Sequence, residues 1–434
     1  MWVTTVLLVK ILTRNRKILC CVLLLFIAFS ALFLFFKFKY SKPTLTIGVY
    51  TDSSWEVPNG DADRVTKIAI KKFKKKYPNV QIKYEAGIRK NDYSNWLTEK
   101  IVKGSTPDVI MLPEDIFNLL ASNGTLKSLN SSLKDENISS STFYHGVFKA
   151  GEYHGTQYAL PYETNPILMI ANNDLLNKNG FSNLNSHLSP TKFKNICHMV
   201  SLNKNNTGTT SDYTWQDAQL AYGNSVFENS SINLTSNKAR AGFSLIEDLT
   251  NENGYQSVSS NQFDQGTVAF MPLSLAKYRT YTSYPYHVAH TSSFKWKVFQ
   301  MPSIANVNAT PASTVCLGVA AKTAHPTLSW EFIKLMCTDK EIQQEVIKNR
   351  MGSSVLPRVV NSSFTQKIFQ EEQQNTLTPK ILNTVLENIA ITPKFRDYDR
   401  RLDELNYLIQ NALKNNQLNL QLFSIQHQIN KNEY

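Results

Sequence analysis

Apolar positions along this chain change repeatedly between a spacing of two and a spacing of three to four, and the changes mark out its elements. Leu45-Thr-Ile-Gly-Val-Tyr50 reads as a first strand closed by the polar loop Thr51-Asp-Ser-Ser-Trp55. Val65, Ile68, Ala69 and Phe73 then recur at helical spacing until Tyr77-Pro78-Asn79 stops them, and Val80, Ile82 and Tyr84 alternate as a second strand. Tyr93, Trp96, Leu97 and Ile101 share one face of a second helix. After Pro107-Asp108 the apolar run Val109 to Leu112 has strand length. Pro113-Glu114-Asp115 opens a helix whose apolar face is Ile116, Phe117, Leu119 and Leu120, with Gly124 where a C-cap glycine belongs. This β-α-β-α-β-α order predicts a parallel sheet covered on both faces.

Further along the pattern weakens. Phe143 to Gly155 reads as a turn-rich hairpin, and Thr156 to Asn173 as an extended stretch whose prolines suit a crossing between lobes better than one continuous strand. Helices are expected near 191–200, 215–228 and 237–250 in a Ser-, Asn- and Thr-rich region. Trp330, Phe332, Ile333, Leu335 and Met336 mark a strongly apolar helix, with Trp330 in the core. Helices over 380–392 and 399–414 follow, and Leu418, Leu422, Ile425 and Ile429 carry the helical pattern to the terminus.

Before all of this, Ile18 to Phe36 is a run of 19 residues without a charge, about the length of a membrane-spanning helix. It ends in Leu-Phe-Phe-Lys rather than small residues, so an uncleaved signal anchor with the remainder outside fits better than a cleaved signal peptide. The basic balance belongs partly to this end: seven of the positive charges behind the net +12 lie in residues 1–43, which leaves +5 for the rest. The densest lysine cluster, Lys71, Lys72, Lys74, Lys75 and Lys76, reads as a solvated helix end favourable to the dipole, and no nucleic-acid surface is expected. Cys197, Cys316 and Cys337 resemble neither a disulfide framework nor a zinc site. About 390 residues after the anchor exceed one ordinary core, so two lobes are expected.

The junction at Glu114-Asp115 is the most informative local chemistry. Ligands of open α/β sheets sit at the carboxyl ends of strands, and here that place carries two carboxylates and no glycine-rich phosphate loop. It favours a neutral or cationic polar ligand over a nucleotide. His287 and His290 have metal-compatible spacing without a third ligand, and no metal, cofactor or catalytic residue is assigned.

The segments Phe73-Lys-Lys-Lys-Tyr-Pro-Asn-Val80, Gly104-Ser-Thr-Pro-Asp-Val109, Gly124-Thr-Leu126, Tyr158-Ala-Leu-Pro-Tyr162, Ile170-Ala-Asn172, Phe263-Asp-Gln-Gly-Thr-Val-Ala-Phe270, Leu317-Gly-Val-Ala320 and Trp330-Glu-Phe-Ile-Lys-Leu335 resemble, in this order, the family 1 extracellular solute-binding proteins of bacterial ABC importers. That group includes maltodextrin-binding proteins. The resemblance covers residues 44–430 and implies a two-lobed α/β periplasmic-binding-protein-like fold with a hinge and a central cleft. Lobe I would comprise 44–158 and 298–352, lobe II 159–297 and 353–434, preceded by the anchor at 1–43 (span about 18–36). The implied function is capture of a sugar or other small polar solute for a permease and ATPase on separate chains, by a monomer tethered to the cell membrane with its binding domain outside.

By matching position, the resemblance implies ligand contacts from Ser53, Ser54, Trp55, Glu114, Asp115, Tyr162, Glu163, Asn165, Tyr213 and Trp215. Met271 and Thr314 lie in the two stretches that depart from the family pattern, Met271-Pro-Leu-Ser-Leu-Ala276 and Pro311-Ala-Ser-Thr314, and are counted with the cleft. Trp55 and Trp215 suit a sugar platform or a buried loop aromatic equally, and Glu114 and Asp115 could serve only the helix dipole. Tyr278, Tyr281, Tyr284 and Tyr286 suit a cleft flank or surface packing. A membrane-tethered sensor or adaptor is the alternative function. An extracellular carbohydrate-active enzyme, with Glu114 and Glu163 as its carboxylate pair, is a weaker one.

Overall fold

The computed structural model describes residues 42–58, 61–228, 230–252, 258–282, 294–372 and 376–431. The expected anchor, Tyr284, Tyr286, His287 and His290 lie outside the described residues. Among the described residues no helix is long and apolar enough to cross a membrane, and no cluster of His, Cys, Asp and Glu could hold a metal. Among the described residues, Tyr77–Gln81 groups with 42–44 as a small unit, and the remainder forms the large one.

Among the described residues twelve strands form: β1 (Thr44–Gly48), β2 (Gln81–Tyr84), β3 (Val109–Leu112), β4 (Glu152–Tyr153), β5 (Thr156–Gln157), β6 (Ala159–Asn172), β7 (Thr207–Thr209), β8 (Phe227–Glu228), β9 (Ser231–Ile232), β10 (Val268–Ser274), β11 (Trp296–Phe299) and β12 (Ala312–Val319). The main sheet runs β2-β1-β3-β12-β6-β10-β7, with β11 also on β6. Helices Ala62–Lys76, Lys90–Val102 and Glu114–Ser122 alternate with β1 to β3, as their apolar spacing predicts. β1 and β3 pair in parallel, Ile47 opposite Val109, and every residue of β3 is buried, which explains its unbroken apolar run.

β6 is the element that the sequence misleads on. It is one strand of 14 residues, buried nearly throughout, and it also makes the crossing between two half-sheets. Its residues 159–166 pair with β12, while 167–171 pair with β10 and 169–172 with β11. The prolines fall where a missing N–H is tolerated. Pro161 faces Cys316 across a register irregularity between Val315 and Cys316, and Pro166 ends the β12 pairing. The next N–H, of Ile167, donates to Pro311 O at 2.9 Å.

Elsewhere the expected hairpin at 143–155 is a short helix, His145–Lys149, followed by the two-residue ladder of β4 and β5. The helix expected to 228 is only Trp215–Ala221, because Gly223 turns the chain through φ 64° and the β8–β9 hairpin follows. The C-terminal helical pattern divides at Asn416 (φ 54°) into Tyr398–Lys414 and Leu418–Lys431. Both pack on the core around β10, where Leu405, Ile409, Leu422 and Ile425 join Phe243 and Phe270. The lysine-rich helix end is more than a solvated face: Lys72 pairs with Asp339 and Glu341, both at 2.7 Å, and Lys76 with Glu331 at 2.7 Å. Cys197, Cys316 and Cys337 are buried and free.

Candidate functional site

Two cavities adjoin where strands of the second half-sheet end. The larger, about 410 Å³, is bordered by the helix start Thr214–Gln219, by 224–227, by Pro311–Ser313 and by the segment 390–393 with Tyr398 and Leu402. The smaller, about 270 Å³, is bordered by Asp212, Ser260, residues 271–274, Lys277 and Tyr281. Both share Ile167, the first residue of β6 past the crossing, and Asp217. The polar groups of the walls are amides, hydroxyls and carboxylates, with one ammonium, Lys277, at the smaller cavity. The aromatic groups are Phe227, Tyr398 and Tyr281, with the fully buried Trp215 behind them.

Asp217 is placed by its own helix. Thr214 is the N-cap, and Asp217, three residues on, accepts from the Thr214 N–H at 2.7 Å and hydroxyl at 2.8 Å, both through Oδ2. Burial raises its pKa to about 6, opposed by those two bonds, with Asp212 adding to the rise. Asp212 is itself held by the Thr210 hydroxyl at 2.9 Å.

The twelve residues expected at the site fall into three groups. Trp215 and Met271 border the cavities, but both are fully buried. The Trp215 indole donates to Asn406 Oδ1 at 2.9 Å and its ring stacks on Phe243, which makes it a core residue. Tyr213 is likewise buried, its ring against Phe193.

A second group forms a buried network inside the first half-sheet. Arg350, at the end of helix Lys340–Arg350, donates to Glu163 at 2.8 to 3.0 Å through Nε and Nη2, and to Ser54 Oγ at 2.6 Å. Ser54 donates in turn to Glu163 and accepts from the Tyr50 hydroxyl at 3.0 Å. The guanidinium lies between the rings of Tyr50 and Tyr162. Burial works against its charge, and the Glu163 carboxylate outweighs that and holds Arg350 firmly protonated. Glu163, Ser54 and Tyr162 thus border neither cavity. Ser53 shapes the same loop by accepting from the Trp55 N–H at 3.1 Å, and Trp55 is buried against Gly352.

The third group is dispersed. Asn165 Oδ1 accepts from the Ala276 N–H at 2.9 Å and holds the start of helix Leu275–Thr282. Thr314 bonds the Thr164 hydroxyl at 3.0 Å. Glu114 is half-buried at 3.7 Å from Lys394, and Asp115 is exposed. Of the flanking tyrosines, Tyr278 is buried and bonded to Thr376 at 3.0 Å, while Tyr281 borders the smaller cavity. The sequence reading missed Asp212, Asp217, Ile167, Lys277 and Tyr398. Only Asp217 carried a usable signal, the capping box Thr214-x-x-Asp217.

A family model described as bacterial extracellular solute-binding protein matches residues 69–373. No curated protein sequence matches the chain. Among solved structures, it is similar to the cyclic alpha-maltosyl-1,6-maltose binding protein of Arthrobacter globiformis, at 14% identity over 90% of this chain and 98% of that one, with a TM-score of 0.73. An ABC substrate-binding protein of Listeria monocytogenes solved with cycloalternan is 19% identical over 90% and 98%, TM-score 0.64. A Mycobacterium tuberculosis protein solved with glycerophosphocholine is 16% identical over 89% and 97%, TM-score 0.63. At these identities the likeness is one of fold.

Proposed function

Because this chain belongs to the bacterial extracellular solute-binding proteins, which are binders and not enzymes, we propose that it captures a sugar or oligosaccharide between its lobes and delivers it to an ABC permease. The observation that carries this reading is the pair of adjoining cavities at Ile167 and Asp217, where aromatic and apolar walls alternate with amides, hydroxyls and carboxylates. Sugar rings need both: their C–H faces pack on apolar surface and their hydroxyls need oriented donors and acceptors. The chain passes between the half-sheets at Pro166–Ile167, Pro311–Ala312 and Ala390–Pro393, so the same segments that border the cavity would act as the hinge. In this reading the lobes divide at these crossings rather than at 158, 297 and 352, roughly 44–166 with 312–389 and 167–311 with 390–431, the chain works as a monomer, and the apolar stretch 18–36 tethers it to the membrane. The relatives named for cyclic alpha-maltosyl-1,6-maltose and solved with cycloalternan make such saccharides the first solutes to try.

The test is thermal unfolding of the full-length chain in mild detergent with linear and cyclic alpha-glucans and a glucosamine disaccharide. A binder at a hundredfold excess over its dissociation constant gains about 3 kcal/mol of stability. Stabilisation by a saccharide that leaves other solutes inert supports the proposal. Unchanged unfolding across the whole saccharide panel overturns it.

A further inference from the structure

Resting on this cleft reading, we infer that the solute carries an amino group on an otherwise neutral, hydroxylated frame, and that Asp217 receives it. Five observations carry this. Asp217 is 8% exposed yet borders both cavities, so it stands where any solute filling them must pass. Only Oδ2 is engaged, by Thr214; Oδ1 takes no hydrogen bond from the described residues. No Lys, Arg or His is among the described residues that border the larger cavity. Lys394, next to its wall residue Pro393, is turned to Glu114. The smaller cavity adds a second carboxylate, Asp212, against the exposed Lys277.

A carboxylate taken out of water needs a compensating cation or several donors, and an unmatched one is costly. Asp217 has one of its two oxygens satisfied, and among the described residues no cationic side chain borders the larger cavity to balance the charge. An ammonium supplies what is missing, with three N–H donors and a formal charge. A phosphate or carboxylate on the solute would face the Asp217 and Asp212 carboxylates, with Lys277 the one cation among the described residues that border the two cavities. The rest of the lining, including Gln216, Asn224, Ser225 and Tyr398, offers hydroxyl partners and an aromatic edge rather than further charge. The site therefore fits an amino sugar better than either a neutral glucan or a phosphodiester.

The experiment is calorimetric titration of the full-length chain with matched solutes: a glucosamine disaccharide, its N-acetylated form, its hydroxyl counterpart, spermidine and glycerophosphocholine. The amino sugar is expected to bind at least tenfold more tightly than the N-acetylated and hydroxyl forms. In Asp217→Asn that preference should vanish, the amino sugar binding no more tightly than its hydroxyl counterpart. Equal or weaker binding of the amino sugar by the unmodified protein overturns the inference, even with saccharide binding intact. Spermidine bound alone, through Asp217, keeps the ammonium site and overturns the sugar frame. Glycerophosphocholine preferred over all others overturns both. The N-acetylated comparison is made on the unmodified chain, so the outcome stands even if the variant folds poorly.

Discussion

At the scale of the residue, one carboxyl has a measurable effect on the whole. Asp217 is displaced upward from 3.8 to about 6, chiefly by burial. A carboxyl raised in the folded state binds its proton more tightly there than in the unfolded chain. It therefore contributes stability below pH 4 that is lost as pH rises through 6. The gap corresponds to about 3 kcal/mol. Between pH 4 and 7 the stability of Asp217→Asn, which keeps an oxygen for Thr214, should rise relative to the unmodified protein by an amount of this order. Parallel denaturation curves across that range would refute it. The same residue shows what single positions conceal in a sequence. Thr214-x-x-Asp217 is legible as a helix cap, but its second role depends on residues from 311 and 390 closing the far wall. Trp215, two positions earlier, looks like a platform and is core, because Phe243 and Asn406 come to it from distant helices.

Between elements, Arg350 joins three that lie far apart in sequence: the end of its helix, strand β6 through Glu163, and the loop after β1 through Ser54. Arg279 makes a similar join, from helix Leu275–Thr282 to the carbonyls of Ile347 and Gly352 and to Glu372. Removing one partner of such a buried pair strands the other's charge. Arg350→Met should cost on the order of 3–5 kcal/mol in denaturant unfolding, and the double change with Glu163→Leu should recover a large part of it. A double variant as unstable as the sum of the two singles would argue against that coupling. The alternating β-α order of the first lobe was legible because each helix shows one apolar stripe and β3 an unbroken run. The continuity of β6 was not. Pro161 and Pro166 read as breaks until β12 supplies an irregular register opposite one and an end of pairing at the other. Tyr162 and Glu163, in the stretch expected to cross between lobes, turn inward to Arg350, a partner nearly 190 residues away that no local pattern announces.

For the whole molecule, two half-sheets joined through one strand imply a motion confined to the crossings. Saturating solute should lower the radius of gyration in small-angle scattering, and the change should be absent in the unliganded chain at any protein concentration. Identical scattering with and without a solute that binds would mean capture without closure. The joined sheet also has a consequence for how the protein comes into being. β12 lies between β3 and β6, yet it is made after every described strand of the second half-sheet. Until residue 319 has left the ribosome, the edges of β3 and β6 that face each other lack the strand that fills the gap between them. Such long-range pairing forms slowly. The first half-sheet therefore cannot close before β12 is made, and its final locking is left to the end of synthesis or after it.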